Sequence, residues 1–109
     1  SDKEKKELWK KVLVAVDDIL GYTCISKTKV NMIKEIEAHY SRRQLYNCLT
    51  IHKEEIKRYL DEKGIYEEYG KLAYIFACVK NKIKDDSNNI SVNTSYGVSM
   101  DYEEETEEQ

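Results

Sequence analysis

The sequence contains no proline and only four glycines in 109 residues. Chain-breaking chemistry is therefore scarce, and a fold built from many short strands and tight turns is disfavoured against one built from helices. Clustered glycines ahead of a helix are missing too, which leaves a phosphate-cradling loop without support. The three cysteines, Cys24, Cys48 and Cys78, stand far apart with no CxxC pair, and the chain has only two histidines. A disulfide framework or a zinc site is not expected from that pattern, and the cysteines read as small buried hydrophobes in a reducing compartment. No window approaches the ~18 apolar residues of a membrane span, and the charged start SDKEKKELWKK lacks the apolar core of an export signal. A soluble, cytoplasmic protein is expected, with no membrane contact.

What is present in quantity is charge and tyrosine. Charged residues make up 36% of the chain, and nine tyrosines stand against one phenylalanine and one tryptophan. Tyrosine couples an apolar ring to a polar tip, which suits the edge of a small core or an interface. The formal net charge of −3 hides an asymmetry. Residues 85–109 carry eight acids and no base, so the first 84 residues hold all 18 bases with 13 acids, a net +5 facing −8. A mildly basic body and a strongly acidic tail follow, and 1–84 and 85–109 are the expected divisions of the chain.

Hydrophobic spacing gives the body its structure. Leu8, Trp9, Val12, Leu13, Val16, Ile19 and Leu20 recur at helical intervals from about Lys3, with Gly21 as a stop. A second helix is expected after Ser26 or Thr28, with Val30, Ile33, Ile36 and Tyr40 on its apolar face. Ser41-Arg42-Arg43-Gln44 matches the S-x-x-Q capping box, so a helix should begin there. Leu45, Leu49, His52, Ile56 and Tyr59 continue it, either as one helix to Lys63 or as two with a break near Thr50, and Gly64 ends it. In the last segment Tyr69, Leu72, Phe76, Val79 and Ile83 form a seam, and LAYIFACV is apolar on nearly every face, which marks it as the expected centre of the bundle. The expected fold class is all-α, a bundle of four or five helices over the first 84 residues.

After Lys84, DDSNN favours a turn. The stretch 90–102 then alternates, with Ile90, Val92, Tyr96, Val98, Met100 and Tyr102 on one side and small polar residues on the other. An extended, strand-like element, or a hairpin turning at Asn93–Gly97, is expected there, running into a solvated acidic end. Those six side chains are candidate contacts to a protein partner by addition to a sheet edge, or to a second copy of this chain.

Catalysis finds little to stand on. Cys48 and His52 are four apart and would share a helical face, yet no oxyanion-hole glycines accompany them, and adjacent carboxylate pairs such as Glu54-Glu55 diverge on a helix. No catalytic residue, metal ligand or cofactor site is assigned. Nucleic-acid binding has more support, because Lys27, Lys29, Lys34, Arg42, Arg43, Lys53, Lys57 and Arg58 gather in the second and third helical segments among Tyr40, Tyr46 and Tyr59. A helix-turn-helix across 42–63 would need a turn that the sequence does not supply with glycine.

The stretch from Tyr46 to Ile83, with CLTIHKEEI and EEYGKLAYIFACVKNKI, resembles small helical proteins of phages and mobile elements in low-GC Gram-positive bacteria. That group carries no established activity, so no residue role transfers. The resemblance implies an accessory or regulatory protein that works by binding, in or against a DNA-processing assembly. Two expectations follow: a non-enzymatic protein-binding module, or a nucleic-acid-binding module whose acidic tail tunes the basic helices at 27–63.

Overall fold

A computed structural model of the chain describes the backbone of residues 1–96 and the side chains of residues 1–86. Among the described residues there are five helices and no strand: α1 (Asp2–Leu20), α2 (Lys27–Glu37), α3 (Arg42–Ile51), α4 (Lys53–Lys63) and α5 (Glu68–Tyr96). No helix of the described residues is long and apolar enough to cross a membrane.

Each helix starts and stops for a local reason. Ser1, Ser26 and Ser41 cap α1, α2 and α3 with their hydroxyls, and Ser41 with Gln44 completes the expected reciprocal box: Gln44 N–H donates to Ser41 Oγ at 3.0 Å and Ser41 N–H to Gln44 Oε1 at 2.8 Å. Gly21 and Gly64 close α1 and α4 in the left-handed region, with φ of 89° and 64°. A side chain there would be strained, which is why these two positions end helices cleanly.

Helical spacing on each element produces one buried stripe. Val12, Ala15, Val16 and Ile19 of α1, Ile33 and Ile36 of α2, Leu45, Cys48 and Leu49 of α3, Ile56 and Leu60 of α4, and Leu72, Ile75, Phe76, Val79 and Ile83 of α5 form one core. Tyr40, Tyr46 and Tyr74 lie half-buried around it, the edge role their polar tips favour. The seam on α5 differs from expectation at one end: Tyr69 is exposed and Ile75 takes a core place.

Among the five helices α3 has a packing partner in each of the other four, and like α5 it keeps part of its surface, including Arg43, Thr50 and Ile51, in solvent. The ten-residue α3 packs against α1, α2, α4 and α5, whereas α5 lies against α2, α3 and α4. On α5, Ala77 is exposed and Ala73, Tyr74 and Cys78 are half-buried. LAYIFACV is therefore one-sided, its off-seam apolar residues being mostly small or polar-tipped, a composition that tolerates a half-wet face.

A second difference concerns the end of α5. Its backbone stays helical to Tyr96, through the DDSNN stretch where a stop is expected and into the first part of 90–102. Residues 71–96 contain neither glycine nor proline, and Ile83 in the core and Asp86 against His52 hold the helix to the bundle beyond Lys84. Residues 97–109, and the side chains of Ile90, Val92, Tyr96, Val98, Met100 and Tyr102, lie outside the described residues.

Leu45 is fully buried in the core and Val14 points outward. In denaturant titration Leu45→Ala should lose about 2–5 kcal/mol of stability, the cost of a cavity in a packed core, and Val14→Ala less than about 0.5 kcal/mol.

Candidate functional site

Two polar features interrupt this apolar interior. The first lies where α3 meets α4. The break across 42–63 falls at His52, which serves as the last cap of α3 and the first of α4 with φ −101° and ψ 12°. Its N–H still donates to Cys48 O at 3.0 Å and its carbonyl accepts from Ile56 N–H at 2.9 Å, so the joint is one residue wide. A helix-turn-helix connection of three or four residues is absent from this joint.

The bend turns the His52 ring toward α5. Nε2 lies 3.0 Å and 3.2 Å from the two carboxylate oxygens of Asp86, and Nδ1 lies 3.5 Å from Glu55 Oε1. Beneath the ring is Cys48, and its sulfur, a His52 ring nitrogen and an Asp86 oxygen all fall within 4.8 Å of one another. Glu55 is in turn held by Lys82 Nζ at 2.6 Å and by the Tyr59 hydroxyl at 2.8 Å. The hydrogen bond from Lys82 and then that from Tyr59 draw the Glu55 carboxyl down from its ordinary 4.5 to about 2.

This constellation has the residue types of a cysteine-nucleophile triad but not its electrostatics. Burial pushes the Cys48 thiol up to about 12, and the Asp86 carboxylate beside it adds to the shift. A nucleophilic cysteine needs a thiolate near neutral pH, which positive neighbours and exposure supply. Cys48 is 1% exposed and sits against a carboxylate, the opposite arrangement.

The second feature is Lys29, which is 3% exposed inside the bundle. Its Nζ donates to Asp17 Oδ1 at 2.6 Å and to Cys24 O at 2.9 Å, and the same Asp17 oxygen accepts from Cys24 N–H at 3.1 Å. One carboxylate thus ties α1 to the α1–α2 connection and to α2. Above the pair opens a groove of about 560 Å³ whose apolar lining is Leu13, Cys24, Ile25 and Val30, with Lys27 and Asn31 at its polar margin. Ile25 is 94% exposed, a large apolar side chain standing in solvent at the groove's lip.

The eight basic candidates divide accordingly. Lys29 is withdrawn into its ion pair, its Nζ taken up by Asp17 and the Cys24 carbonyl. Arg42 is engaged as well: Nε is 2.7 Å from Glu37 Oε2, the guanidinium lies 4.8 Å over the Trp9 ring, and Nη1 donates to Lys5 O. Arg43 and Arg58 are exposed and lie over Tyr46 and Tyr59, at 5.7 Å and 5.5 Å. Lys27 and Lys34 are exposed on α2, while Lys53 and Lys57 are half-buried on α4. The six that remain are spread over three helices, α2, α3 and α4.

Comparison with family models, with curated proteins and with solved structures finds no match.

Helical spacing puts Cys48 and His52 on one face, whereas Asp86 stands in the DDSNN run, whose residues favour a turn. The missing signal was the length of α5, which carries Asp86 back over the α3–α4 joint. Nor does spacing announce the groove, because a lysine inside a bundle is a rare arrangement.

Two outcomes test these arrangements. Lys29→Met should cost about 3 kcal/mol in denaturant titration, since it leaves the Asp17 carboxylate without its cation, the low end of the range reflecting Asp17's remaining solvent contact. Glu55 has a lowered folded-state value, so its contribution is present above pH 4.5 and is lost as pH falls toward about 2. Glu55→Gln should therefore flatten the acid limb of the stability curve across that window and leave its shape above pH 6.

Proposed function

We propose that this chain is a small non-enzymatic, cytoplasmic protein-binding module of accessory or regulatory type, and that the groove between α1 and α2 is its contact. The observation that carries the reading is Ile25, 94% exposed beside an apolar groove of about 560 Å³. A large side chain gains ~1.5–3 kcal/mol when it leaves water, and a shaped apolar recess beside it supplies a place to do so. The floor is electrically quiet because Lys29 neutralises Asp17. Lys27 on the margin and the basic excess of the first 84 residues favour an acidic surround.

The fitting partner is a protein segment with one aromatic or aliphatic residue flanked by acids. The raised Cys48 thiol is in keeping with a module that binds and does not catalyse. An origin in phages or mobile elements, and action in or against a DNA-processing assembly, belong to the same proposal.

A second reading rests on Arg43 over Tyr46 and Arg58 over Tyr59, exposed guanidinium groups on half-buried rings, of the kind that hold phosphates and stack on bases. In that reading the acidic tail competes with the nucleic acid. Residues 85–109 would equally serve as a protein contact or a self-association element in the first reading.

Peptide display on the full chain should enrich ligands pairing an apolar anchor with acids. Their affinity should fall at least about tenfold, ~1.4 kcal/mol, for Ile25→Asp and hold for Tyr66→Ser, an exposed tyrosine outside the groove's lining. Enrichment of nothing, or ligands that bind Ile25→Asp as well as the parent, would contradict the groove. Binding to DNA or RNA that weakens steeply with salt and with Arg43→Ala would favour the second reading instead.

A further inference from the structure

Cys48, His52 and Asp86 come from three different places in the chain, the middle of α3, the α3–α4 joint and α5, and present sulfur, nitrogen and oxygen donors within 4.8 Å of one another. We propose that they form a binding site for a divalent transition metal of the zinc class, held by the Cys48 sulfur, His52 Nε2 and one Asp86 oxygen, with water in the fourth position. This goes beyond the binding reading above and does not depend on it.

The geometry fits such an ion. Tetrahedral zinc with sulfur at ~2.3 Å and nitrogen or oxygen at ~2.0–2.2 Å sets its ligand atoms roughly 3.3–3.6 Å apart. The His52 to Asp86 separation of 3.0 Å must open slightly, and the sulfur, within 4.8 Å of both partner atoms, must close in. His52 faces the site with Nε2 and turns Nδ1 toward the Glu55 carboxylate 3.5 Å away, the arrangement that orients a metal-bound imidazole. Glu55 is fixed for that role by Lys82 and Tyr59.

Charge balances as well. A Cys48 thiolate and the Asp86 carboxylate together cancel a divalent cation, while Lys82 is already matched by Glu55 and adds no net repulsion. Binding displaces the Cys48 thiol proton to solvent, and the imidazole binds as its neutral Nδ1–H form. The mixed sulfur, nitrogen and oxygen set selects zinc, cobalt or a neighbour, since calcium and magnesium take oxygen ligands only. Access is open on one side, where His52 and Asp86 side chains are 20% and 24% exposed above the buried sulfur. The ion would clamp the α3–α4 joint to α5.

Cobalt(II) titration of the full chain, stripped beforehand with a chelator, tests this. One cobalt per chain should bind, with a thiolate-to-cobalt charge-transfer band in the near ultraviolet and the intense visible bands of tetrahedral cobalt, and zinc should displace it. Cys48→Ser, which keeps size and hydrogen bonding, should lose the charge-transfer band. Asp86→Asn should weaken binding at least about tenfold, and Glu55→Gln about tenfold with the band retained. Circular dichroism confirms that each variant is folded, and if Cys48→Ser is not, Asp86→Asn at the open side decides. No saturable binding, a thiolate band that survives Cys48→Ser, or Asp86→Asn binding as tightly as the parent would overturn the site.

Discussion

The burial of α3 is the constraint on which the rest of this structure depends. Ten residues long, it would not hold together alone in water, because nucleating a helix costs more than so few backbone bonds return. It is stable because α1, α2, α4 and α5 all close on it and cover Leu45, Cys48 and Leu49. A short helix packed in this way also brings both of its ends near other elements. Its start is fixed by the Ser41–Gln44 box and by Arg42, which reaches Glu37, Trp9 and Lys5 together. Its finish is fixed by His52 turning to Asp86.

That geometry explains where polar chemistry enters the bundle. At the α3–α4 joint the chain must bend, and the bend exposes one face of the interior to the far part of α5. A cysteine one turn earlier, a carboxylate from α5 and a second carboxylate on α4 then converge on one imidazole. At the α1–α2 connection Asp17 accepts from Cys24 N–H and Lys29 donates to Cys24 O, so the backbone there is satisfied by side chains. The groove above them is the surface left over when α1 and α2 are joined by such a strap. Both features are consequences of packing five helices of unequal length.

Most of the helical layout could be read directly from residues. Capping serines, the two left-handed glycines and three-four spacing are local signals, and they locate α1, the starts of α2 and α3 and the end of α4 to within a residue or two, while leaving open whether 42–63 is one helix or two. What could not be read depends on distance in space. Apolar faces all round LAYIFACV argue for a central α5; that α3 has a partner in each of the other four helices is decided in space, and a sequence does not list partners. The DDSNN run looks like a stop because aspartate, serine and asparagine favour turns when nothing else holds the backbone. Here Asp86 is held by a histidine 34 positions earlier. The same blindness applied to the basic residues: Lys29 and Lys27 look alike in sequence, and only the fold makes one an internal strut and the other a surface charge.

The groove shares α1 and α2 with the core, and the joint shares α3, α4 and α5 with it. The packing of α3 against all four other helices is the claim everything else leans on, and native-state hydrogen exchange measures it most directly. Amides of Leu45, Cys48 and Leu49 should exchange only through global unfolding, with opening free energies equal to that of the whole chain and at least as large as those of Leu72 to Val79 on α5. Exchange of α3 through a local opening of lower energy, with α5 as the last element to yield, would contradict it.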